Sequence, residues 1–325
     1  MPDRVITVTL NPAIDKVLEA KNFAVGDHTP AHRIGSYPAG KGINVARVLG
    51  VLGSRCIATG FVGRDELHLF ENELERRAAG RVVMQLLVVR GRTRENITIV
   101  DPIMDTETHI RDEGFTVQPS DVKRITSKVG MLASPGSIVS IGGSLPPGVS
   151  LGDLRTLLHV CHDQGARVII DTSRSALEAL RGEPLWMAKL NAEELATLAD
   201  QPTDSSETFI EAARSVATRY GGHVDVVVAT RGAAGAVLIC EEVELIARVF
   251  VHPGRIANTV GSGDAMLAGI LHQYVQAGDW SASLKLGVAT ATANAVSRQP
   301  GEIDLADIAE FRDAASIDEI KRAPA

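Results

Sequence analysis

The chain has 325 residues, 45% of them hydrophobic and 22% charged, which excludes a disordered, fibrous or membrane-embedded chain and leaves a soluble globular one able to bury a large core. The length is near twice the commonest domain size, and 30 glycines beside only 4% aromatic residues fit an α/β chain with many backbone turns. A net charge of −7, from 33 basic and 40 acidic residues, argues against nucleic acid as a partner and leaves room only for a local basic pocket.

From the start, residues 5–10 form an apolar run too short for a signal peptide and lacking its flanks. No later stretch approaches the ~18 apolar residues of a membrane span. Further β-branched runs at 55–61, 82–88, 138–141, 167–170, 224–229 and 236–239 read as buried strands. Segments 43–52, 151–164, 206–220 and 264–277 return an apolar residue every three or four positions, as helices do. Strand and helix in alternation predict a mostly parallel sheet with helices on both faces. Residues 13–37 and 93–111 break the rhythm with short alternating strands joined by Gly, Pro and Asp turns. They are expected to form a discontinuous β lid on a main domain made of residues 1–12, 38–92 and 112–325, since lids commonly close active sites. Cys56, Cys161 and Cys240 are far apart and give no disulfide framework. The expected location is cytoplasmic.

Several short segments carry chemistry. Residues 35–42, GSYPAGKG, match the first seven positions of a Walker A loop, but Gly42 stands where the metal-binding Ser or Thr belongs. A P-loop is therefore rejected. What remains is a helix start at 40–44 that offers backbone donors, Lys41 and Asn44 to a polar ligand, or else an ordinary turn with a solvated lysine. Asp171 ends a strand, where ligands of parallel sheets bind. Asn191 and Glu194 stand three apart on a helix face, either as oxygen ligands for Mg²⁺ through water or as an acidic first turn. His159, Cys161 and His162 lack a fourth ligand for zinc, and the helix pattern explains them. Residues 258–269, NTVGSGDAMLAG, place a glycine turn before an apolar helix. Gly261, Ser262 and Gly263 there can hold an anion at the helix N-terminus, or Asp264 can simply cap the helix.

Taken together, residues 9–15 (TLNPAID), 40–47 (GKGINVAR), 94–96 (REN), 143–148 (GSLPPG), 189–191 (KLN) and 259–264 (TVGSGD) resemble, in order, the motifs of the phosphofructokinase B family of carbohydrate kinases. The chain is most similar to the branch that phosphorylates sugars already bearing one phosphate. The resemblance implies a ribokinase-like αβα sandwich with a small β-sheet lid. It also implies that Asp264 is the base for the sugar hydroxyl and that Gly261, Ser262 and Gly263 surround the moving phosphoryl group. By the same resemblance, Asp15, Gly40, Asn44 and Ser144 hold the sugar, with Lys41, Arg94 and Asn96 near its phosphate. Lys189, Asn191, Thr230, Gly232, Gly235 and Thr259 fall along the nucleotide, and Asn191 with Glu194 organises Mg²⁺ through water. Three departures stand out: Ala39 for a usual Gly, Leu190 for a usual Pro, and Arg174 for a usual small residue.

The expectation is an ATP-dependent, Mg²⁺-requiring kinase for fructose 1-phosphate, fructose 6-phosphate or tagatose 6-phosphate. Two rivals are a kinase for an unphosphorylated sugar or nucleoside, against which Arg94 and Lys41 count, and a non-catalytic sugar-phosphate sensor, against which Asp264 and its glycine turn count. The edges and apolar face of a lid sheet offer a surface for a homodimer.

Overall fold

The structure, a computed structural model, describes residues 4–78, 80–172, 176–177, 182–219, 224–297 and 301–320; Arg174 and the end of the helix expected at 206–220 lie outside them. The chain begins with strand β1 (Val5–Thr9), crosses into a second sheet with β2 (Ala13–Glu19) and β3 (His32–Ala39), and returns through helix α1 (Lys41–Leu52) and β4 (Cys56–Gly63). After α2 (Leu67–Ala78) and β5 (Val82–Val89) it crosses again for β6 (Arg94–Asp101) and β7 (Thr106–Arg111). There follow α3 (Pro119–Leu132), β8 (Ile138–Gly143), α4 (Leu151–Asp163), β9 (Arg167–Thr172) and β10 (Leu185–Asn191). The remainder is α5 (Ala192–Ala199), α6 (Ser206–Arg219), β11 (Val224–Thr230), β12 (Ala236–Cys240), β13 (Glu244–Arg248), α7 (Ser262–Ala277), α8 (Trp280–Val296), α9 (Leu305–Ala314) and β14 (Ser316–Glu319).

The large sheet has ten strands in the order β14-β13-β12-β11-β10-β9-β8-β1-β4-β5. From β11 to β5 every neighbour runs parallel, and β12, β13 and β14 add an antiparallel edge. All five residues of β1 are buried, as expected of a strand covered on both faces. Its side chains divide by parity: Ile6 and Val8 pack with α3, α4, α5 and α6, whereas Val5 packs with α1, α2, α7 and α8. β1 also marks the switch in strand order, because β4 and β5 lie to one side of it and β8, β9, β10 and β11 to the other. The crevice beyond the carboxyl ends of such strands is where open parallel sheets bind ligands.

The small sheet has four strands in the order β3-β2-β6-β7, with β2 and β6 parallel and the outer pairs antiparallel. It is assembled from two distant segments, and β3 runs on through Pro38 and Ala39 into the start of α1. The chain passes between the sheets four times: into β2, out of β3, into β6 and out of β7. The three cysteines are buried and free. Among the described residues no helix is long and apolar enough to cross a membrane.

Close approach of β4 to β1 sets one firm stability test. Gly60 has φ 138, and a Cβ there would stand 1.9 Å from the backbone oxygen of Thr9. Gly53, at the C-terminus of α1, also has positive φ but meets nothing within 4 Å. Gly53→Ala should therefore cost roughly 1–2 kcal/mol of backbone strain, and Gly60→Ala roughly 3 kcal/mol or more, as read from chemical denaturation of the two variants. Equal losses would show that the β1–β4 approach is looser than the geometry requires.

Candidate active site

The glycine turn before α7 does not end in a side-chain cap. Gly261 is the N-cap in the left-handed conformation, and it has no side chain to cap the helix N–H groups. Asp264 is the third helical residue and is 6% exposed. Capping is thus not its role. With no cap, the N–H groups of Gly263 and Asp264 face outward from the first turn, where the helix dipole favours an anion. One carboxylate oxygen of Asp264, Oδ2, accepts from Asn44 Nδ2 at 2.7 Å. The other has no hydrogen-bond partner among the described residues. Burial, with help from the nearby charge of Asp171, pushes the Asp264 carboxyl up to about 6 against the pull of Lys189, Asn44 and Lys41.

Lys189 explains why residue 263 is glycine. A Cβ there would lie 2.5 Å from the lysine Nζ, so the ammonium presses against the first turn of α7. Lys189 rises from β10 and meets Asp171 Oδ2 at 3.1 Å, while Lys41 at the start of α1 meets Asp171 Oδ1 at 2.6 Å. Asp171 is 1% exposed. Burial alone would raise its carboxyl, but Lys189 and Lys41 together hold it below the ordinary range. The ammonium of Lys41 is stabilised in turn: burial works against it, and Asp171 and Glu194 outweigh that and raise it. Two neighbouring carboxyls are thus driven apart, one fixed as an anion and one poised near neutrality, a pattern typical of acid–base sites.

Asn191 and Glu194 form a reciprocal capping box at the start of α5. Asn191 Oδ1 accepts from the Glu194 N–H at 2.9 Å, and Glu194 Oε2 accepts from the Asn191 N–H at 2.8 Å. The second glutamate oxygen stands 3.9 Å from Lys41 Nζ. Thr230 lies in register with Asn191, and its hydroxyl donates to Leu190 O at 3.4 Å. Gly232 opens the short turn after β11, and Gly235 passes so near Ala247 that a Cβ would sit 2.1 Å from its carbonyl oxygen. Thr259 is exposed, and its carbonyl accepts from the Ser262 N–H at 3.3 Å. At the start of α1, Gly40 leaves room for Thr9, whose Cγ2 would be 2.7 Å from a Cβ.

A second polar group sits on the small sheet. Tyr37, Asp15, Asn96 and Arg111 are in register across its four strands and share one face. Asn96 Nδ2 donates to Asp15 Oδ1 at 2.7 Å. Burial raises the Asp15 carboxyl, opposed by Asn96, Arg111 and Arg94. Arg94, beside this row, donates to Asn11 O at 3.1 Å and Pro12 O at 3.3 Å, and Asn11 Nδ2 donates to Ser144 Oγ at 3.1 Å. Arg94 and Arg111 face the Asp15 carboxyl of raised pKa, and Asp112, which also acts on Arg94, is taken up by Arg92 at 2.7 Å, which leaves a positive balance.

The residues expected from the sequence therefore fall in two groups. Asp264, Asn44, Gly261, Ser262, Gly263, Lys189, Asn191 and Glu194 gather around α7 and β10, and Lys41 joins them through Asp171. Asp15, Asn96, Arg94 and Ser144 gather at the small sheet. Arg111 and Asn11 were not among the expected site residues, and Asp171 was marked only as a strand end. Cys161 is buried in the core and His159 pairs with Glu183 at 3.0 Å. Among the described residues no three His, Cys, Asp or Glu side chains are placed to hold a metal directly.

A mostly parallel sheet with an uncapped helix start beside a buried acid of raised pKa fits a phosphoryl-transfer protein. Residues 8–305 match the pfkB family of carbohydrate kinases, and the chain belongs to that family. It is 33% identical over 290 residues to the 1-phosphofructokinase of Rhodobacter capsulatus, covering 88% of each chain. It is 32% identical over 271 residues to the 1-phosphofructokinase of Haemophilus influenzae, covering 83% of this chain and 84% of the relative. The crystal structure of phosphofructokinase-2 from Escherichia coli in complex with potassium superposes with a TM-score of 0.84 at 25% identity, covering 96% of this chain and 98% of that one. The chain is accordingly an ATP-dependent carbohydrate kinase with the fold its motifs implied.

Removing the charge of Asp171 should be costly, because Lys189 would remain buried without its anion. Asp171→Asn is expected to lose about 3–5 kcal/mol, the usual cost of breaking a buried pair. The same variant should move the acid limb of the kcat profile to lower pH, since a like charge beside Asp264 has gone. A profile that stays in place would mean that Asp171 does not act on Asp264.

Proposed function

We propose that the protein transfers the γ-phosphoryl group of ATP to the primary hydroxyl of a ketohexose phosphate, with fructose 1-phosphate as the preferred acceptor and Asp264 as the base. The observation that carries this reading is the buried Asp264 carboxylate, with one oxygen engaged by Asn44 and the other free, beside uncapped helix N–H groups. The free oxygen accepts the hydroxyl proton as the hydroxyl oxygen attacks the γ-phosphorus in line. The bond to the bridging oxygen breaks and ADP leaves. The N–H groups of Gly263 and Asp264, with Lys189, take up charge on the moving group. Lys41 belongs to this phosphoryl side of the site, through Asp171.

The positive balance at Arg94 and Arg111 supports an acceptor that already carries a phosphate, with Asp15, Asn96 and Ser144 on the sugar. The relatives named 1-phosphofructokinase support the choice of fructose 1-phosphate. Asn191 and Glu194 offer oxygens here, and Glu194 keeps one of its own outside the cap, which fits Mg²⁺ held through water. Bound with ATP, Mg²⁺ neutralises phosphate charge in the transfer. The small sheet acts as a lid over the sugar, and its edge strands, with Ile34 and Ile110 half exposed, provide a surface for a homodimer. Free buried cysteines suit a reducing, cytoplasmic location.

A coupled ADP-release assay with fructose 1-phosphate, fructose 6-phosphate, tagatose 6-phosphate and free fructose tests the substrate directly; equal rates on the free sugar would refute the phosphate reading. Asp264→Asn should lower kcat by at least ~10²-fold with ATP binding kept. In the parent enzyme kcat should fall on the acid side with an apparent pKa of about 6, because the protonated carboxyl cannot accept. Near-normal turnover in the variant would exclude Asp264 as the base. Arg94→Ala and Arg111→Gln should each raise KM for the sugar phosphate and leave the weak rate on free fructose unchanged. The loss should reach roughly 1.5–3 kcal/mol for Arg94 and be smaller for the more exposed Arg111.

A further inference from the structure

Arg47 is an almost dry cation, 3% exposed on α1, one turn after Asn44. Its Nη1 donates to Glu73 Oε1 at 3.3 Å and its Nη2 to Asn44 Oδ1 at 2.9 Å, while Nε has no partner. Glu73 does not need this third cation, because Arg76 and Arg77 already pair with it at 2.6 and 3.4 Å. The contact that sets Arg47 apart is therefore the one to Asn44.

A guanidinium has donors and no acceptor, so only the oxygen of the Asn44 amide can face it. The amide nitrogen is then turned the other way, where it donates to Asp264 Oδ2 at 2.7 Å. Reversing the amide would replace both attractions with repulsions, oxygen against carboxylate and NH₂ against guanidinium. Arg47 is also backed by Gly301, where a Cβ would collide with Nη2, the nitrogen that donates to Asn44. The Gly301 N–H donates to Asn294 Oδ1 at 2.7 Å, and Asn294 Nδ2 donates to Val260 O at 2.9 Å and Ser262 Oγ at 3.0 Å. Arg47 is thus clamped between Asn44 and the residues that brace the glycine turn.

We propose that Arg47 is a positioning residue for phosphoryl transfer: through the Asn44 amide it holds one oxygen of Asp264 engaged and leaves the other free for the acceptor hydroxyl. This rests on the reading of Asp264 as the base. The test is a double-variant cycle of Arg47→Met and Asn44→Ala, with kcat, both KM values and thermal midpoints measured on each. Arg47→Met should lower kcat by ~10–10²-fold, the scale of a small misplacement at a reacting group, with KM for ATP within about twofold. Because both variants break the same link, the double variant should be no slower than Asn44→Ala by more than about twofold. Losses that multiply would assign Arg47 to the fold alone and overturn the proposal. Should Arg47→Met fail to fold, Arg47→Lys, which keeps the charge without the rigid fork, runs through the same cycle under the same criterion. Asp264→Asn separates the two levels: full turnover there removes the base reading and this proposal with it, whereas an inactive Asp264→Asn beside multiplying losses removes only the role of Arg47.

Discussion

The site depends on one buried carboxylate, Asp171, held between two ammonium groups. It ties the start of α1 to the ends of β9 and β10 through contacts of 2.6 and 3.1 Å. A lone buried anion would be prohibitively costly, so the two lysines are as necessary to Asp171 as it is to them. Its charge then has a second effect: it opposes ionisation of Asp264 while keeping Lys189 against the first turn of α7. Positioning and electrostatics are thus the same contact seen from two sides.

Those pairings divide the polar residues into two groups. The first is built on rigid strand ends and helix starts of the large sheet. The second is a cross-strand row on the small sheet, joined to the first through Asn11, Ser144 and the start of α1. Glu194 serves two contacts at once. One of its oxygens closes a helix cap, and the other stands 3.9 Å from the Lys41 ammonium.

Most of the central parallel strands were legible because they are buried on both faces and read as continuous β-branched runs, as in VITVT of β1. β10 was not, since LWMAKLN carries a lysine and an asparagine for the site rather than an uninterrupted apolar run. α8, WSASLKLGVATATANAV, is packed on nearly all sides and so lacks the one-sided periodicity by which helices are recognised. Edge strand β14 is mostly exposed and polar, with nothing to distinguish it from a loop. In the site, the glycine turn and Asp264 could be read locally, because backbone geometry there demands particular residue types. Arg111 could not, since it meets Asn96 only through the register of strands brought together from separate segments. The Leu190 departure is equally a matter of context: it pairs with Ala229 inside the ladder between β10 and β11, where a proline would have no N–H to give.

The four passages of the chain between the two sheets carry a mechanical consequence. A flap on a single tether can tumble freely, whereas a plate anchored at four points is held by the chain that enters and leaves it. Asp15, Asn96, Arg94 and Arg111 then keep their mutual geometry as parts of one plate, so the ordering entropy of four separate side chains is settled in the fold before any ligand arrives.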